Sequence, residues 1–184
     1  MLTPVVERAR HGDREAFGAL TQELGDRCMA IAFRILRDAS LAEDAVQSAF
    51  VQAWRELSGL RDPSRFEPWL HRILVRCCYV EAKRRRRSLA SVFAVQREDA
   101  YAADEILTVH DRDQLERGFR RLPPEQRAVL VFHYYLGFTH VEVADHLDIP
   151  LGTVKSRLRY ASRALRAALE ADARQPANSK ERPA

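Results

Sequence analysis

The sequence predicts an all-α protein of two small helical domains, an N-terminal helical bundle and a C-terminal helix-turn-helix domain, joined by a flexible linker. Three observations lead there. Seven Gly and eight Pro among 184 residues, with 8% aromatics, leave a composition dominated by strong helix formers. Apolar residues recur at helical spacing in both halves, as one buried stripe per helix requires. Between the halves, Ser88 to Arg117 carries seven acids against three bases and sustains no apolar stripe through its first half, the composition of a linker. The expected boundaries are a first domain at 1–87, an acidic linker at 88–113, a second domain at 114–174, and a polar tail at 175–184 that should be disordered.

Val5, Val6 and Ala9, followed by Phe17 and Leu20, mark one or two helices between Pro4 and Leu24. Gly12-Asp13 separates them, with Asp13 placed to cap the second through its side chain. Cys28 to Leu36 is apolar almost all round and belongs at the centre of the bundle. In the connector Asp38-Ala39-Ser40, Ser40 is the expected N-cap and Glu43 completes a capping box. From Leu41 to Leu57, one row holds Leu41, Ala45, Ala49, Ala53 and Leu57 beside Val46, Phe50 and Trp54; Glu43, Asp44, Gln47, Ser48 and Gln52 form a solvated side.

Ser58 to Pro68 is rich in turn formers and reads as a loop. Trp69 to Lys83 is the next helix, with Trp69, Leu70, Ile73, Leu74 and Cys77 inward and His71, Arg72, Arg76 and Val80 outward. It runs into five consecutive cations, Lys83 to Arg87. Such a run repels itself unless a polyanion is near, which points to nucleic acid; a solubilising helix end, favoured by the helix dipole, is the plainer alternative. Exposed aromatics expected just upstream, in Phe66 to Trp69, favour nucleic acid.

After the linker, a helix resumes from Asp113 to Arg121 and ends at Leu122-Pro123-Pro124. Pro124 opens the next helix, to Tyr135, where its missing amide hydrogen is no loss, and Gly137 lies near that helix's C-cap. From Thr139 a short helix carries Val141, Val143, Ala144 and Leu147. Asp148-Ile149-Pro150 breaks it, because proline lacks the amide donor and biases its predecessor away from helical geometry. The following helix, from Gly152-Thr153, sets Val154, Leu158, Ala161, Leu165 and Ala168 on one stripe, with Lys155, Arg159, Arg163 and Arg166 on another and no acid before Glu170. A short helix, a turn and a longer helix with a purely cationic side is the sequence form of a DNA-reading helix-turn-helix.

Other function classes find little support. The net charge is +4, modest in sum and telling only in its distribution. No apolar run approaches a membrane span and the N-terminus lacks a signal peptide's apolar core, so a cytoplasmic protein without membrane insertion is expected. Cys28, Cys77 and Cys78 are an odd set without a framework, and neighbours on a helix point about 100° apart, so buried thiols are expected rather than disulfides or metal ligands. His140, Glu142 and His146 imitate a metal cluster, but no Pro-Cys-x-x-Cys follows. No nucleophile–base pair and no phosphate-binding glycine loop appears, so neither enzyme activity, metal nor cofactor is expected.

Specific strings then resemble a known family. Leu122-Pro123, Arg127-Ala128-Val129-Leu130, Tyr134 to Thr139, Glu142-Val143-Ala144 and Ile149 to Arg157 are similar to the fourth-region domain of bacterial sigma factors, with the extracytoplasmic-function group as the nearest type. Ala42 to Trp54 resembles that group's core-polymerase-binding helix, and Phe66 to Ile73 the start of its promoter-opening helix. The resemblance covers roughly Ala16 to Leu169, in the family's order.

The resemblance implies a promoter-specificity subunit that directs initiation by recognising −35 and −10 elements and helping DNA melting. It implies that Asp44, Gln47, Phe50 and Trp54 dock on the clamp coiled coil of the polymerase's largest subunit, and that the polymerase flap is a further contact. Ser64, Arg65 and Phe66 would lie in the loop that captures an extruded −10 base, followed by Trp69, Arg72 and Arg76 on the helix that holds the separated strand. Lys155, Ser156, Arg159 and Tyr160 match positions facing the −35 major groove; Thr153 and Arg157 suit phosphates, and Arg163 extends the same cationic stripe. Arg76 and Val80 stand where the family usually has Asn and Asp, which leaves −10 preference open. Core RNA polymerase, promoter DNA and an anti-sigma factor wedged against both domains are the implied partners. The alternative is a stand-alone helix-turn-helix regulator, which would need neither the Asp44-to-Trp54 helix nor the Lys83–Arg87 run.

Overall fold

The structure, a computed structural model, describes residues 2–93 and 110–173, and among these residues every regular element is a helix. Helix α1 spans Thr3–Arg10 with Pro4 in its first turn. Gly12 takes the left-handed φ of 92° that the reversal needs, and Asp13 caps α2 by accepting the Ala16 amide at 3.0 Å. Helix α2 then runs unbroken over Arg14–Leu36, absorbing the apolar Cys28–Leu36 segment, because nothing between Asp13 and Leu36 competes with helical hydrogen bonding.

Two N-terminal expectations need correction. Arg37, at φ 58°, turns the chain immediately after α2, so Asp38 rather than Ser40 has the extended backbone of an N-cap and accepts the Leu41 amide at 3.0 Å. Ser40 thus lies inside α3, Ala39–Glu56. The segment read as one loop holds two 3-10 turns, Leu57–Gly59 and Pro63–Arg65, and α4 begins at Phe66. Pro68 sits in the first turn of α4, where proline removes no needed donor.

Helix α4 extends over Phe66–Phe93, through all five cations and into the first part of the expected linker. Uninterrupted helix formers carry it past the charge run. The rest of that linker up to residue 109, and the tail from 175, lie outside the described residues. Helix α5 starts at His110 and ends at Arg121. Pro124 opens α6, Pro124–Leu130, whose last turn widens into a π-helical turn at Val131–Tyr135. Gly137, at φ 76°, then releases the chain.

Helix α7 is His140–Leu147, and Thr139 is its cap rather than its first residue. Thr139 and Glu142 form a reciprocal capping box: the Glu142 amide donates to Thr139 Oγ1 at 3.3 Å, and the Thr139 amide donates to Glu142 Oε2 at 2.8 Å. Asp148, left-handed at φ 54°, ends α7, and α8 follows over Leu151–Ala173. Val141 does not join the apolar side of α7; it is exposed while Val143 is fully buried, since positions two apart face opposite sides of a helix.

Helices α2, α3 and α4 pack as a bundle over Leu20, Ile31, Ile35, Ala45, Ala53, Leu70 and Leu74. Helix α8 packs on α5, α6 and α7 through Val154, Leu158 and Ala161. The buried residues form one continuous apolar cluster, with α6 and α7 seated on α4 and α6 on α2. All three cysteines are free and buried; burial raises the Cys28 thiol to about 12 and pushes up those of Cys77 and Cys78, which leaves them unreactive.

Candidate nucleic-acid interface

On α3 the row Ala42, Ala45, Ala49, Phe50 and Ala53 is buried, which turns Asp44 and Gln47 outward. Phe50 is 8% exposed, and Trp54, half-buried, lies with its ring 4.9 Å from that of Phe17. Arg14, Phe17, Phe50, Val51 and Trp54 line an apolar notch of about 370 Å³. This face therefore combines two free polar side chains with an aromatic ledge, the make-up of a protein-docking surface.

The turn before α4 is built by Asp62, whose Oδ1 accepts the Ser64 amide at 3.0 Å and the Ser64 hydroxyl at 2.6 Å. Those bonds hold the Asp62 carboxyl below its ordinary range and fix the exposed Arg65 beside it. Phe66 is not an exposed aromatic: it is 1% exposed and its ring lies 5.8 Å from Trp69, which is only half-buried. As the first residue of α4, Phe66 points into the bundle, leaving Trp69 as the available aromatic surface. Arg76 is exposed and Arg72 partly so.

His71 departs furthest from its expected outward position. It is 3% exposed, edge-on to Phe132 with ring centroids 5.4 Å apart, and 5.5 Å from His146. Burial first, then the charges of His146 and Arg27, lower its pKa to about 3. The residue faces outward from its own bundle, as the periodicity implied, and the C-terminal half covers it.

On α8 the buried seam Val154, Leu158 and Ala161 leaves Lys155, Arg159, Tyr160, Arg163 and Arg166 exposed along one continuous surface. Ser156 donates its hydroxyl to the Thr153 carbonyl at 3.0 Å, and the Arg159 guanidinium lies 5.1 Å from the Tyr160 ring. Helical spacing places Lys155, Arg159 and Arg163 on successive turns, in reach of a groove lined with phosphates. Arg157 departs from that surface: it is partly buried, and its charge opposes the upward push that burial gives the Tyr79 hydroxyl on α4. The cations Lys83 to Arg87 are all exposed, with Arg85 reaching Asp38 at 2.7 Å.

The seam between the halves contains residues without a sequence signal. Arg34 stacks 3.7 Å from the Tyr135 ring centroid, and Arg37 pairs with Glu116. The pairing with Arg37 and Arg120 holds the Glu116 carboxyl low against the opposing effect of burial. Arg65 meets Asp145 at 2.5 Å, and Arg72 and Arg76 lie 3.9 and 3.8 Å from Asp148. Arg37 Nε, His71 Nδ1, Arg72 Nε and Arg127 Nε are buried with no hydrogen-bond partner among the described residues, and burial first, then Arg37 and Arg86, lowers Arg127 to about 10. A buried unpaired polar atom costs about 1–3 kcal/mol, whereas a half-exposed ion pair returns about 0–1 kcal/mol. Apolar burial, not the ion pairs, thus supplies most of the seam's adhesion. Arg34, Arg37, Phe119, Tyr135, Leu165 and Arg166 wall a cleft of about 660 Å³ along it. The apparent metal cluster is otherwise employed: Glu142 serves the capping box, and His146 Nδ1 lies 2.8 Å from the Glu142 carbonyl.

Known proteins resemble this chain in both halves. Residues 20–88 match the family model for sigma-70 region 2, and residues 112–165 that for sigma-70 region 4. The chain is 32% identical over 175 residues to the ECF RNA polymerase sigma factor SigK of Mycolicibacterium vanbaalenii, covering 91% of this chain and 89% of that one. It is 30% identical over 181 residues to the RNA polymerase sigma-H factor of Pseudomonas aeruginosa, covering 90% and 92%. The solved structure of CnrH in complex with the cytosolic domain of CnrY superposes with a TM-score of 0.64 at 26% identity, over 92% of this chain and 97% of that one.

Proposed function

This chain belongs to the extracytoplasmic-function group of the sigma-70 family, and on that premise we propose how its halves divide the work of directing RNA polymerase to promoters. The protein is a sigma factor, a DNA-binding initiation factor. In the proposed division, residues 1–87 bind core polymerase and hold the opened −10 strand, and residues 114–174 grip the −35 element. Asp44 and Gln47 make the polar contacts to the clamp coiled coil while Phe50 and Trp54 shape the ledge between them. Ser64, Arg65, Trp69, Arg72 and Arg76 take the separated strand. Unstacking costs a few kcal/mol per base, which an aromatic face and a cationic groove offset. Phe66 supports that loop from within the core.

Lys155, Ser156, Arg159 and Tyr160 read the −35 major groove, with Thr153 and Arg163 on phosphates. Arg157, partly buried beside them, is the further phosphate contact. The observation that carries this reading is the α8 surface, whose exposed charges before Glu170 are all cationic and whose buried seam is apolar. The chain contributes no catalytic step, since polymerase does the chemistry, and it acts in the cytoplasm where polymerase works. An anti-sigma partner fits the apolar, arginine-rimmed cleft beside Tyr135, and the solved relative CnrH was captured with the cytosolic domain of a second protein.

The test is reconstitution. Adding the chain to core RNA polymerase and a promoter mapped after overexpression should give specific initiation. Tight specific binding of the protein alone to duplex promoter, with no polymerase-dependent initiation, would instead establish a stand-alone regulator.

A further inference from the structure

Far along α4 from its strand-binding residues, three helices bring arginines together. Arg127 of α6 is 8% exposed, and its Nε has no hydrogen-bond partner among the described residues. Arg37, in the left-handed turn after α2, has an equally unpartnered Nε, although its terminal nitrogen pairs with Glu116 of α5. Arg85 ties α4 to the same turn through Asp38 at 2.7 Å. The next residue, the exposed Arg86, lies close enough for its charge to act with that of Arg37 on Arg127. Helical rise puts Arg86 about 30 Å along the axis from Phe66.

The acids here do not balance the bases. Among the described residues, the carboxylates acting on Arg127 are Glu125 and Glu116. Glu116 is already divided between Arg37 and Arg120, the latter at 3.0 Å. Glu125, in the first turn of α6, also acts on Tyr79, and Asp38 is taken by Arg85. Four guanidinium groups, those of Arg37, Arg86, Arg120 and Arg127, thus meet two carboxylates. Burial, then Arg37 and Arg86, lowers Arg127 only to about 10, so it stays charged at neutral pH. A buried charge is stable when an opposite charge and hydrogen bonds answer it, and orphaned buried nitrogens mark where such a partner sits. A water molecule can satisfy one Nε but not the surplus charge.

We propose that Arg37, Arg86 and Arg127 form a binding site for a dianionic phosphate group, either free phosphate or the terminal phosphate of a nucleotide, where α2, α4 and α6 meet. The guanidinium fork matches phosphate oxygens in pairs. A phosphate monoester carries a charge of about −1.5 to −2 at neutral pH, which answers the surplus better than the single charge of a DNA phosphodiester. Exposed Arg86 stands at the entrance and buried Arg127 at the floor, so the group enters from solvent and loses water as it seats. A ligand held only by the folded arrangement stabilises it by mass action. The site is independent of how promoter DNA is held, and gives this initiation factor a small-molecule input remote from its strand-binding residues.

Isothermal titration calorimetry of the full-length chain tests this at neutral pH and constant ionic strength. Inorganic phosphate and guanosine monophosphate are titrated separately. Saturable binding of either at one site per chain supports the proposal, and the tighter ligand identifies the source. Arg86→Gln should weaken binding about tenfold, as loss of one charge-assisted hydrogen bond does, and Arg127→Met should abolish it. Should Arg127→Met fail to fold, the exposed Arg86 variant still decides. Arg84→Gln removes an equal charge from a side chain that is 79% exposed and two positions away, on the far side of the helix, and should bind as the wild type does. Absence of saturable binding overturns the proposal. So does an equal loss in Arg84→Gln, which would mean diffuse cationic attraction, or equal binding of diethyl phosphate, a monoanionic diester. Binding that emerges only in Glu98→Gln/Asp99→Asn/Asp104→Asn/Glu105→Gln would assign the arginines to the chain's own acids, and overturns it too.

Discussion

His71 on α4 stands edge-on to Phe132 of the C-terminal half, planes at 86° and centroids 5.4 Å apart, which makes a histidine the centre of an apolar contact. Its pKa in the folded chain, about 3, lies below the ordinary 6.5. The unfolded chain therefore takes up this proton at a higher pH than the folded one. The His71 contribution is fully present above pH 6.5 and is lost as pH falls from there toward 3, with a slope of at most about 1.4 kcal/mol per pH unit. Urea unfolding between pH 7.5 and 5 should show that decline, and His71→Leu should remove it. An unchanged slope in the variant would assign the decline to other groups.

Lys155→Ala and Arg159→Ala should each weaken −35-dependent initiation by about 1–3 kcal/mol, because both side chains are exposed on the proposed reading surface and neither supports the core. Initiation from promoters altered one base at a time separates the roles. A changed preference marks a base contact, and uniform loss marks a grip on phosphate.

Asp44→Ala and Gln47→Ala should lower affinity for core polymerase while changing stability by less than about 0.5 kcal/mol, the usual range for exposed sites. Phe50→Ala should cost both, since Phe50 is 8% exposed and packs against the core. Polymerase co-purification together with urea midpoints distinguishes the two patterns. A large stability loss in Asp44→Ala would refute a docking role.

Thr139→Ala removes one arm of the α7 capping box and should cost about 1 kcal/mol, a fall of about 2–4 °C in Tm for a chain of this size. Thermal unfolding checks it. Because Thr139 lies on the turn before α7, weakened −35-dependent initiation should accompany the fall.

Much of this protein could be read residue by residue. The apolar rows of α3 and α8, the Asp13 cap, the proline opening α6 and the turn around Pro150 follow from local rules, and the structure has them. The misses came where competing local signals were close. Ser40 and Asp38 are both good caps, and only the left-handed Arg37 decides between them. Pro68 suits a loop or a first helical turn, and packing of Phe66 selects the turn. The family strings added an expectation that no periodicity supplies: which exposed face is proposed to meet polymerase and which DNA.

The sequence alone determined the all-α class, the two helical halves, the buried thiols and the cationic face of α8. Each depends on residues a few positions apart, so helical spacing and capping chemistry suffice. Tertiary structure decided what lies over His71, where Arg157 points, and that Arg65 meets Asp145 across 80 residues. Such contacts depend on which surfaces lose water together, and desolvation is a property of the assembled seam that neither partner's neighbours in sequence encode.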